Sequence, residues 1–116
     1  MTIEKGKQYE HLGCLYLEQR GWRILVQNYY SRHGEIDIIC VKEEELCFVE
    51  VKGRGRQTSW NDEIISPSKR RKIQQTAEIY LASTDIQFSA VQFAVLWIEG
   101  ESFQLMEHAF DADEEG

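Results

Sequence analysis

Two short apolar segments carry charged residues at positions where aliphatic side chains would pack better. Residues 34–41 (GEIDIICV) and residues 46–52 (LCFVEVK) are rich in Ile, Val and Phe and are separated by a polar turn, which predicts two adjacent β-strands. Asp37 interrupts the first segment, and Glu50 and Lys52 lie near the end of the second. An ionised group in apolar surroundings costs several kcal/mol unless it is paired or bound to a metal ion. These charges therefore need partners.

The alternation of side chains along a strand predicts which of these charges share a face. Glu50 and Lys52 point to one side of their strand, and Glu35 and Asp37 share a side of the neighbouring strand. In a hairpin, Asp37, Glu50 and Lys52 would converge at one end of a sheet. Two carboxylates suit Mg²⁺, which prefers oxygen ligands, and a nearby lysine can hold a water or stabilise developing negative charge. The hairpin alone leaves an equal alternative, a solvated Glu–Lys pair on a surface hairpin.

The segment before this hairpin predicts a helix followed by a strand. Residues 5–20 place apolar side chains at helical spacing and end at Gly21. Glu10 lies at the margin of the apolar stripe and could point toward the sheet, although a glutamate in this position is more often solvated. Residues 22–30 alternate as a strand, and residues 28–34 are predicted to form the turn into the acidic strand.

Basic residues flank the predicted hairpin on both sides. Arg32 precedes the acidic strand and could reach a substrate phosphate. Its neighbour His33 has the pKa range for proton transfer, but a single loop histidine is more often merely exposed. Arg54 and Arg56 alternate with glycines directly after Lys52. Glycine lets a backbone approach a ligand closely, and the planar arginine fork suits phosphate.

Ser66 and Pro67 predict the start of a second helix, with serine as N-cap and proline at the first helical position. The first turns carry four positive charges, Lys69, Arg70, Arg71 and Lys72. Cations at a helix N-terminus oppose the helix dipole but create an anion site; a solvated basic face is the equal alternative. The polar segment 57–65 precedes this helix as a loop, and Trp60 within it could stack on a base or anchor the loop.

The C-terminal part completes a sheet. Residues 88–98 are almost continuously apolar, as expected of a central strand covered on both faces. A right-handed crossover through the second helix would place this strand parallel to the third one, and residues 103–106 can return as a short edge strand. We predict a single domain over residues 1–110 and an acidic, disordered tail over residues 111–116.

The composition restricts the class of protein. The chain has 116 residues and a net charge of −7, without an apolar run of membrane-spanning length or an N-terminal secretory signal, which predicts a cytoplasmic protein without a membrane partner. Three widely spaced cysteines predict buried small side chains rather than a disulfide framework or a zinc site. The net charge argues against nucleic acid, but the acidic and basic residues are concentrated in different segments, so a phosphate-binding face remains open.

Several motifs occur in a fixed order along the chain. They are the helical Glu10, GEID at 34–37, FVEVK at 48–52, Arg54, and SPSK at 66–69. This ordered set resembles the YraN family of small bacterial proteins. That family belongs to the PD-(D/E)XK nuclease superfamily and is most similar to the archaeal Holliday-junction resolvases.

The resemblance covers about residues 6–110 and implies an α/β fold, a restriction-endonuclease-like αβββαβ core with a mixed central sheet flanked by helices. It implies that Asp37 and Glu50, helped by the Val51 carbonyl, bind one or two Mg²⁺ or Mn²⁺ ions. Lys52 would position or activate the attacking water, and Glu10 would bind or orient a second metal ion or its water.

The resemblance also implies contacts with the substrate. Lys69 matches a lysine that would face a phosphate, and Glu35 is held as an outer-shell partner of the metal ligands. The candidate nucleic-acid contacts are Arg32, Arg54, Arg56, Lys69, Arg70 and Lys72. The chain departs from the family at Gln92-Phe93-Ala94, where Arg-Phe-Asp is frequent, at Gly13, where a small aliphatic residue is common, and in residues 57–65, which lack the usual Phe-Gly.

Three functions remain open at this point. The first is a metal-dependent nuclease acting on DNA, whose substrates could be branched or flapped structures. If it were a resolvase, it would need a homodimer to cut two strands symmetrically. The second is a non-catalytic nucleic-acid-binding module that retains the nuclease fold. The third is a protein-interaction domain that uses the acidic tail.

Overall fold

Seven elements of secondary structure account for most of the chain. The computed structural model describes residues 2–53 and 65–110, with side chains from Lys7 onward. In chain order the elements are α1 (Thr2–Gln19), β1 (Arg23–Ser31), β2 (Gly34–Lys42), β3 (Glu45–Gly53), α2 (Pro67–Ser83), β4 (Ala90–Glu99) and β5 (Ser102–Phe110). They form a five-stranded mixed sheet flanked by two helices. This confirms the predicted α/β class and is compatible with a restriction-endonuclease-like core.

The strands lie in the sheet in the order in which they occur in the chain, β1-β2-β3-β4-β5. The first three strands form an antiparallel meander. β4 pairs with β3 in the parallel direction, and α2 makes the connection between them. β5 returns antiparallel to β4. The predicted parallel placement of β4 beside β3, with α2 in the connection, is therefore confirmed, and β3 is covered on both faces.

The start of α2 is as the sequence predicts. The Ser66 hydroxyl accepts a hydrogen bond from the Lys69 N–H at 3.2 Å, and Pro67 occupies the first helical turn. This N-cap satisfies one of the N–H groups that the first turn leaves without a helical partner. The start of α2 lies close to the beginning of β2, because a Cβ at Gly34 would be 3.4 Å from Lys72 Cβ and 3.8 Å from Thr76 Oγ1.

The two faces of the sheet bury two apolar layers. The layer under α2 contains Ile36, Ile39, Val41, Leu46, Phe48, Ile73, Ala77, Tyr80, Phe93 and Val95. The layer under α1 contains Cys14, Leu17, Trp22, Ile38, Cys40, Cys47, Val49, Ala94, Leu96 and Ile98. All three cysteines are buried in the second layer, which confirms their prediction as small core residues.

Two predicted boundaries are wrong. The turn expected over residues 28–34 is confined to Arg32 and His33, because β1 continues to Ser31. Tyr29 packs edge-on against Tyr80 of α2, and this contact favours the extended strand over an earlier turn. β5 is also longer than the predicted residues 103–106, because Phe110 stacks on Phe93 at 4.8 Å.

Some predictions fall outside the described residues. Arg54, Arg56 and Trp60 belong to residues 54–64, and the acidic tail to residues 111–116. Among the residues that the structure describes, no helix combines the length and the apolar character needed to cross a bilayer.

Candidate metal centre

Three carboxylates from two elements meet at one end of the sheet. Glu10 of α1 and Glu35 and Asp37 of β2 each offer an oxygen within 4.8 Å of the other two. All three side chains are partly buried. We call these residues the carboxylate triad. Oxygen donors at this spacing are the ligands that Mg²⁺ and Mn²⁺ prefer, so the donor set fits a hard divalent cation.

Asp37 lies where β2 changes its packing. Ile36 belongs to the layer under α2 and Ile38 to the layer under α1, although strand alternation would place residues two apart on one face. The regular pairing of β2 with β3 ends at Ile38 and Val49. Asp37 and Glu50 lie one residue beyond this last pair.

The Asp37 carboxylate bonds to β3 just beyond the last paired residues. Its Oδ2 accepts a hydrogen bond from the backbone N–H of Val51 at 2.8 Å. Burial and the negative charge of Glu50 raise the pKa of Asp37 to about 7, and this Val51 hydrogen bond only partly opposes the rise. A carboxylate in this position would gain from a nearby positive charge.

Glu10 reaches the sheet because α1 lies very close to it. A Cβ at Gly13 would be 3.1 Å from Leu96 Cδ2 and 3.4 Å from Ile38 Cδ1, so the glycine permits this approach. One turn earlier, Glu10 points inward and accepts a hydrogen bond from Asn28 Nδ2 at 2.8 Å. The alternative of a solvated Glu10 is therefore wrong. Burial and the charge of Glu35 raise its pKa.

Asn28, the partner of Glu10, is a site residue that the sequence did not indicate. It lies in β1 between the pairs Gln27–Ile38 and Tyr29–Ile36, opposite Asp37. Its φ is +55°, a left-handed conformation that asparagine tolerates better than most residues. Such conformations persist where the surroundings enforce them and are frequent at functional sites. The one available signal was an asparagine inside a strand pattern, where this residue is depleted.

A second charged group lies beside the triad on the α2 side of β3. Glu50 is only 8% exposed. Its Oε2 accepts a hydrogen bond from Lys69 Nζ at 2.7 Å, and Lys52 Nζ lies 3.9 Å from the same oxygen. Partial burial lowers the pKa of Lys69, but the hydrogen bond and charge of Glu50 outweigh this effect and raise it. Lys69 therefore stays charged and pairs with Glu50.

The two groups are electrostatically coupled. The charge of Glu50 raises the pKa of both Asp37 and Glu10. The structure thus brings the predicted Glu10, Asp37, Glu50 and Lys52 to the same end of the sheet. It differs from the prediction for Glu35, whose carboxylate belongs to the triad itself. The Val51 carbonyl as a ligand stays a prediction, while its N–H donates to Asp37.

The candidate phosphate contacts divide into three groups. Lys69 and Lys72 line an open cleft of about 240 Å³ at the start of α2, together with Gly34, Glu35, Ser66, Ser68 and Ile73. Arg70 instead donates from Nε to the Ile65 carbonyl at 3.1 Å, so one of its guanidinium N–H groups is already bonded within the protein. Arg32 is exposed in the β1–β2 turn. Arg54 and Arg56 lie outside the described residues.

Two other candidates have internal contacts. Gly53 was predicted to let the backbone approach a ligand, but the ring of Tyr9 lies directly against it, and any Cβ at this position would collide with that ring. His33 donates its backbone N–H to the Ser31 hydroxyl at 2.9 Å, and this hydroxyl also bonds to Thr76 at 2.7 Å. These bonds fasten the β1–β2 turn to α2. A catalytic role for the His33 ring stays untested.

The fold and the centre together define an α/β protein with acidic residues at the end of a mixed sheet. A sequence profile described as "Uncharacterised protein family UPF0102" matches residues 9–111. The chain therefore belongs to the UPF0102 family, and the expected relationship to the YraN family is confirmed.

Individual UPF0102 proteins align with this chain over most of their length. A UPF0102 protein of Persephonella marina is 38% identical over 110 residues, which cover 94% of this chain and 95% of that protein. One from Nitrosococcus oceani is 40% identical over 101 residues, covering 84% and 81% of the two chains. One from Syntrophomonas wolfei is 37% identical over 100 residues, covering 84% and 86%.

Proposed function

We propose that the protein is a metal-dependent nuclease of the PD-(D/E)XK superfamily that hydrolyses phosphodiester bonds in DNA. The observation that carries this proposal is the convergence of Glu10, Glu35 and Asp37 within 4.8 Å of one another. Burial and mutual repulsion raise the pKa of Glu10 and Asp37, and a divalent cation would relieve this repulsion. The order of the sequence motifs supports the same class.

The residues of the chain would divide the work. The carboxylate triad would hold one or two Mg²⁺ or Mn²⁺ ions, which supply charge neutralisation at the phosphate and a more acidic water. Glu50 has two carboxylate oxygens, so it can keep Oε2 on Lys69 and offer Oε1 as a ligand. Lys52 would orient the attacking water and stabilise the negative charge of the transition state.

The cleft at the start of α2 would bind the substrate backbone. Lys69 and Lys72 provide positive charge there, and the Ser66 and Ser68 hydroxyls are hydrogen-bond donors for phosphate oxygens. The cleft also includes Glu35 of the triad, so a phosphate held by the lysines would lie next to the cation. The acidic total charge of the chain does not prevent this, because two lysines line the same cleft.

A cleavage assay tests the proposal. Linear, single-stranded, flapped and four-way DNAs are incubated with the protein and Mg²⁺ or Mn²⁺, and product is quantified on denaturing gels. We expect cleavage that EDTA abolishes and that Asp37→Asn reduces at least about 100-fold, in the range of other electrostatic groups at active sites. Lys52→Ala should lower the rate and leave cation affinity nearly unchanged.

A matched control is available at the far end of α2. Asp85→Asn makes the same atomic change in an exposed residue after the helix, which at 17 residues is about 25 Å long. This variant should cleave like the parent. Equal cleavage by parent and a folded Asp37→Asn would overturn the assignment.

One observation favours a second candidate, the non-catalytic nucleic-acid-binding module. Glu50 is already engaged by Lys69 at 2.7 Å, as in a structural ion pair. A protein of this kind would bind DNA equally well with and without Mg²⁺ and would show a steep dependence on salt. Titration of DNA binding with Mg²⁺ at constant ionic strength separates the two functions.

A further inference from the structure

The side chain of Tyr30 is the most exposed large hydrophobic residue among those that the structure describes. It is 67% exposed, whereas the next, Leu15, is 44% exposed. β1, which carries Tyr30, is an edge strand of the sheet, so a ligand can approach it from the open side. The other exposed large hydrophobic residues lie on the two helices or in the loop before β4.

The register of the sheet places Tyr30 beside the carboxylate triad. Tyr30 is the antiparallel partner of Glu35. Directly opposed residues of antiparallel strands point to the same face, with Cβ atoms about 5 Å apart. The neighbouring pair, Tyr29 and Ile36, packs into the layer under α2. Tyr30 and Glu35 therefore point to the other side, where Glu10 of α1 meets the triad.

An exposed tyrosine ring beside a phosphate-binding site is suited to bind a nucleobase. A nucleobase is attached to its phosphate through one sugar, so a phosphate at the triad would bring the adjacent base within reach of the Tyr30 ring. Stacking on an aromatic side chain requires a free base face, which an unpaired base offers and a base inside a continuous duplex does not. Arg32, exposed two residues further on, provides positive charge for the next phosphate.

We propose that Tyr30 is a stacking platform for an unpaired base next to the phosphate at the carboxylate triad. This inference rests on the proposed nuclease function and specifies its substrate class. The substrate would be nucleic acid with a single-stranded segment at the site of cleavage, such as a flap, a fork or a free single strand. Continuous duplex would lack the base that the platform needs.

The test measures binding without cleavage. The Asp37→Asn protein, in Mg²⁺, is titrated with a fluorescent 5′-flapped DNA and with the corresponding continuous duplex, and anisotropy gives the dissociation constants. Adding Tyr30→Ala should weaken binding to the flapped DNA about tenfold, as expected for loss of one stacked base, and leave duplex binding unchanged. Tyr30→Phe keeps the ring and should bind like the Asp37→Asn protein.

A second readout reports the base itself. With 2-aminopurine placed one to three nucleotides from the junction, its fluorescence should be quenched on binding, and Tyr30→Ala should remove the quenching. Phe88→Ala removes an exposed ring before β4 and should change neither measurement. Equal loss of affinity for flap and duplex in Tyr30→Ala, or no loss for either, would overturn the platform.

The two proposals can fail separately. If the parent cleaves flapped and continuous DNA at the same rate and Tyr30→Ala leaves both binding and quenching unchanged, the platform is wrong and the nuclease stands. If flap binding and quenching depend on Tyr30 but no DNA is cleaved with any divalent cation, the platform stands and the nuclease is wrong. Because Tyr30 is exposed, circular dichroism should show the Tyr30→Ala protein to be folded.

Discussion

The two ends of the sheet each contain a cluster of acidic residues, an amide side chain and a strand residue other than glycine with positive φ. At the candidate metal centre, Asn28 has φ +55° and donates one hydrogen bond to Glu10. At the other end, Gln92 donates to Glu45 at 3.0 Å and to Glu107 at 2.9 Å. Its oxygen accepts the backbone N–H of His108, whose φ is +53°. We call this second group the Gln92 cluster.

The difference lies in how the charges are balanced. Gln92 is only 2% exposed and uses both donor hydrogens and its acceptor within the protein. The cluster bridges β3, β4 and β5 where the pairing of β4 with β5 shifts register. At the triad, by contrast, three carboxylates converge, and burial together with repulsion from neighbouring carboxylates raises the pKa of Asp37 and Glu10. Similar groups therefore complete the hydrogen bonding of the fold at one end and leave three carboxylates close together at the other.

The largest expected effect is a dependence of stability on pH in the metal-free protein. The folded-state pKa of Asp37 is raised to about 7 from an ordinary value near 3.8. Its protonation therefore stabilises the folded state fully below about pH 4, and this contribution is lost as the pH rises through about 7. Glu10 acts in the same direction. We expect a loss on the order of 2–4 kcal/mol between pH 4 and pH 8.

Urea unfolding in EDTA across this range measures the effect. Asp37→Asn removes the titrating group and should be more stable than the parent at pH 8 while losing less stability with rising pH. Asp85→Asn should follow the parent. Identical pH profiles for the parent and Asp37→Asn would show that the triad is not under electrostatic stress.

The second effect is stabilisation by a divalent cation at the triad. At a Mn²⁺ or Mg²⁺ concentration of 100 times the dissociation constant, binding to the folded state alone adds about 2.7 kcal/mol. Thermal unfolding with increasing Mn²⁺ at pH 8 should show this rise for the parent and a much smaller one for Asp37→Asn, which keeps only two of the three carboxylates. Glu45→Gln, which alters the Gln92 cluster, should keep the rise. A rise of the same size in Asp37→Asn would place the cation elsewhere.

The third effect concerns the Gln92 cluster. Gln92→Leu leaves a backbone N–H and two carboxylates without their buried amide partner, which should cost about 2 kcal/mol of unfolding free energy. Chemical unfolding measures this loss, and isothermal titration should show unchanged cation affinity. Gln104→Leu, an exposed change on β5, is the control. Weakened cation binding in Gln92→Leu would mean that the two ends of the sheet are coupled.

The smallest effect separates the side chain of Asn28 from its backbone. Asn28→Gly keeps the positive φ without strain and removes the donor to Glu10, whereas Asn28→Ala removes the donor and adds strain of about 1 kcal/mol. Both should weaken cation binding about tenfold, as for other groups that orient metal ligands. Only Asn28→Ala should also lose stability in calorimetry. If Asn28→Gly bound the cation as tightly as the parent, the packing of α1 alone would position Glu10, without help from the Asn28 hydrogen bond.

Local patterns in the sequence were sufficient to predict the helices and strands and some residues of the candidate metal centre. Alternation predicted that Glu50 and Lys52 share a face, and their 3.9 Å contact agrees with this. The serine cap and proline predicted the start of α2, and the apolar run predicted a central strand. These features depend on neighbours only a few residues apart, so sequence periodicity carries them.

The remaining features depend on tertiary packing. The inward direction of Glu10 follows from the close approach of α1 at Gly13, which no local pattern encodes. The change of face between Ile36 and Ile38 breaks the alternation rule, and Asn28 takes its left-handed conformation opposite this break. The pairing of Lys69 with Glu50 requires the crossover to place α2 over β3.

The parallel pairing of β3 with β4 has a consequence for the order of folding. Its partners are far apart in the chain, as Glu45 and Ala90 show, whereas Asp37 and Glu50 belong to one antiparallel hairpin. Hairpins close in microseconds, and distant pairings form later because of the loop entropy they must overcome. We expect the two acidic residues to come together while the centre of the sheet is still open. Cation captured at that stage would accelerate refolding rather than only slow unfolding.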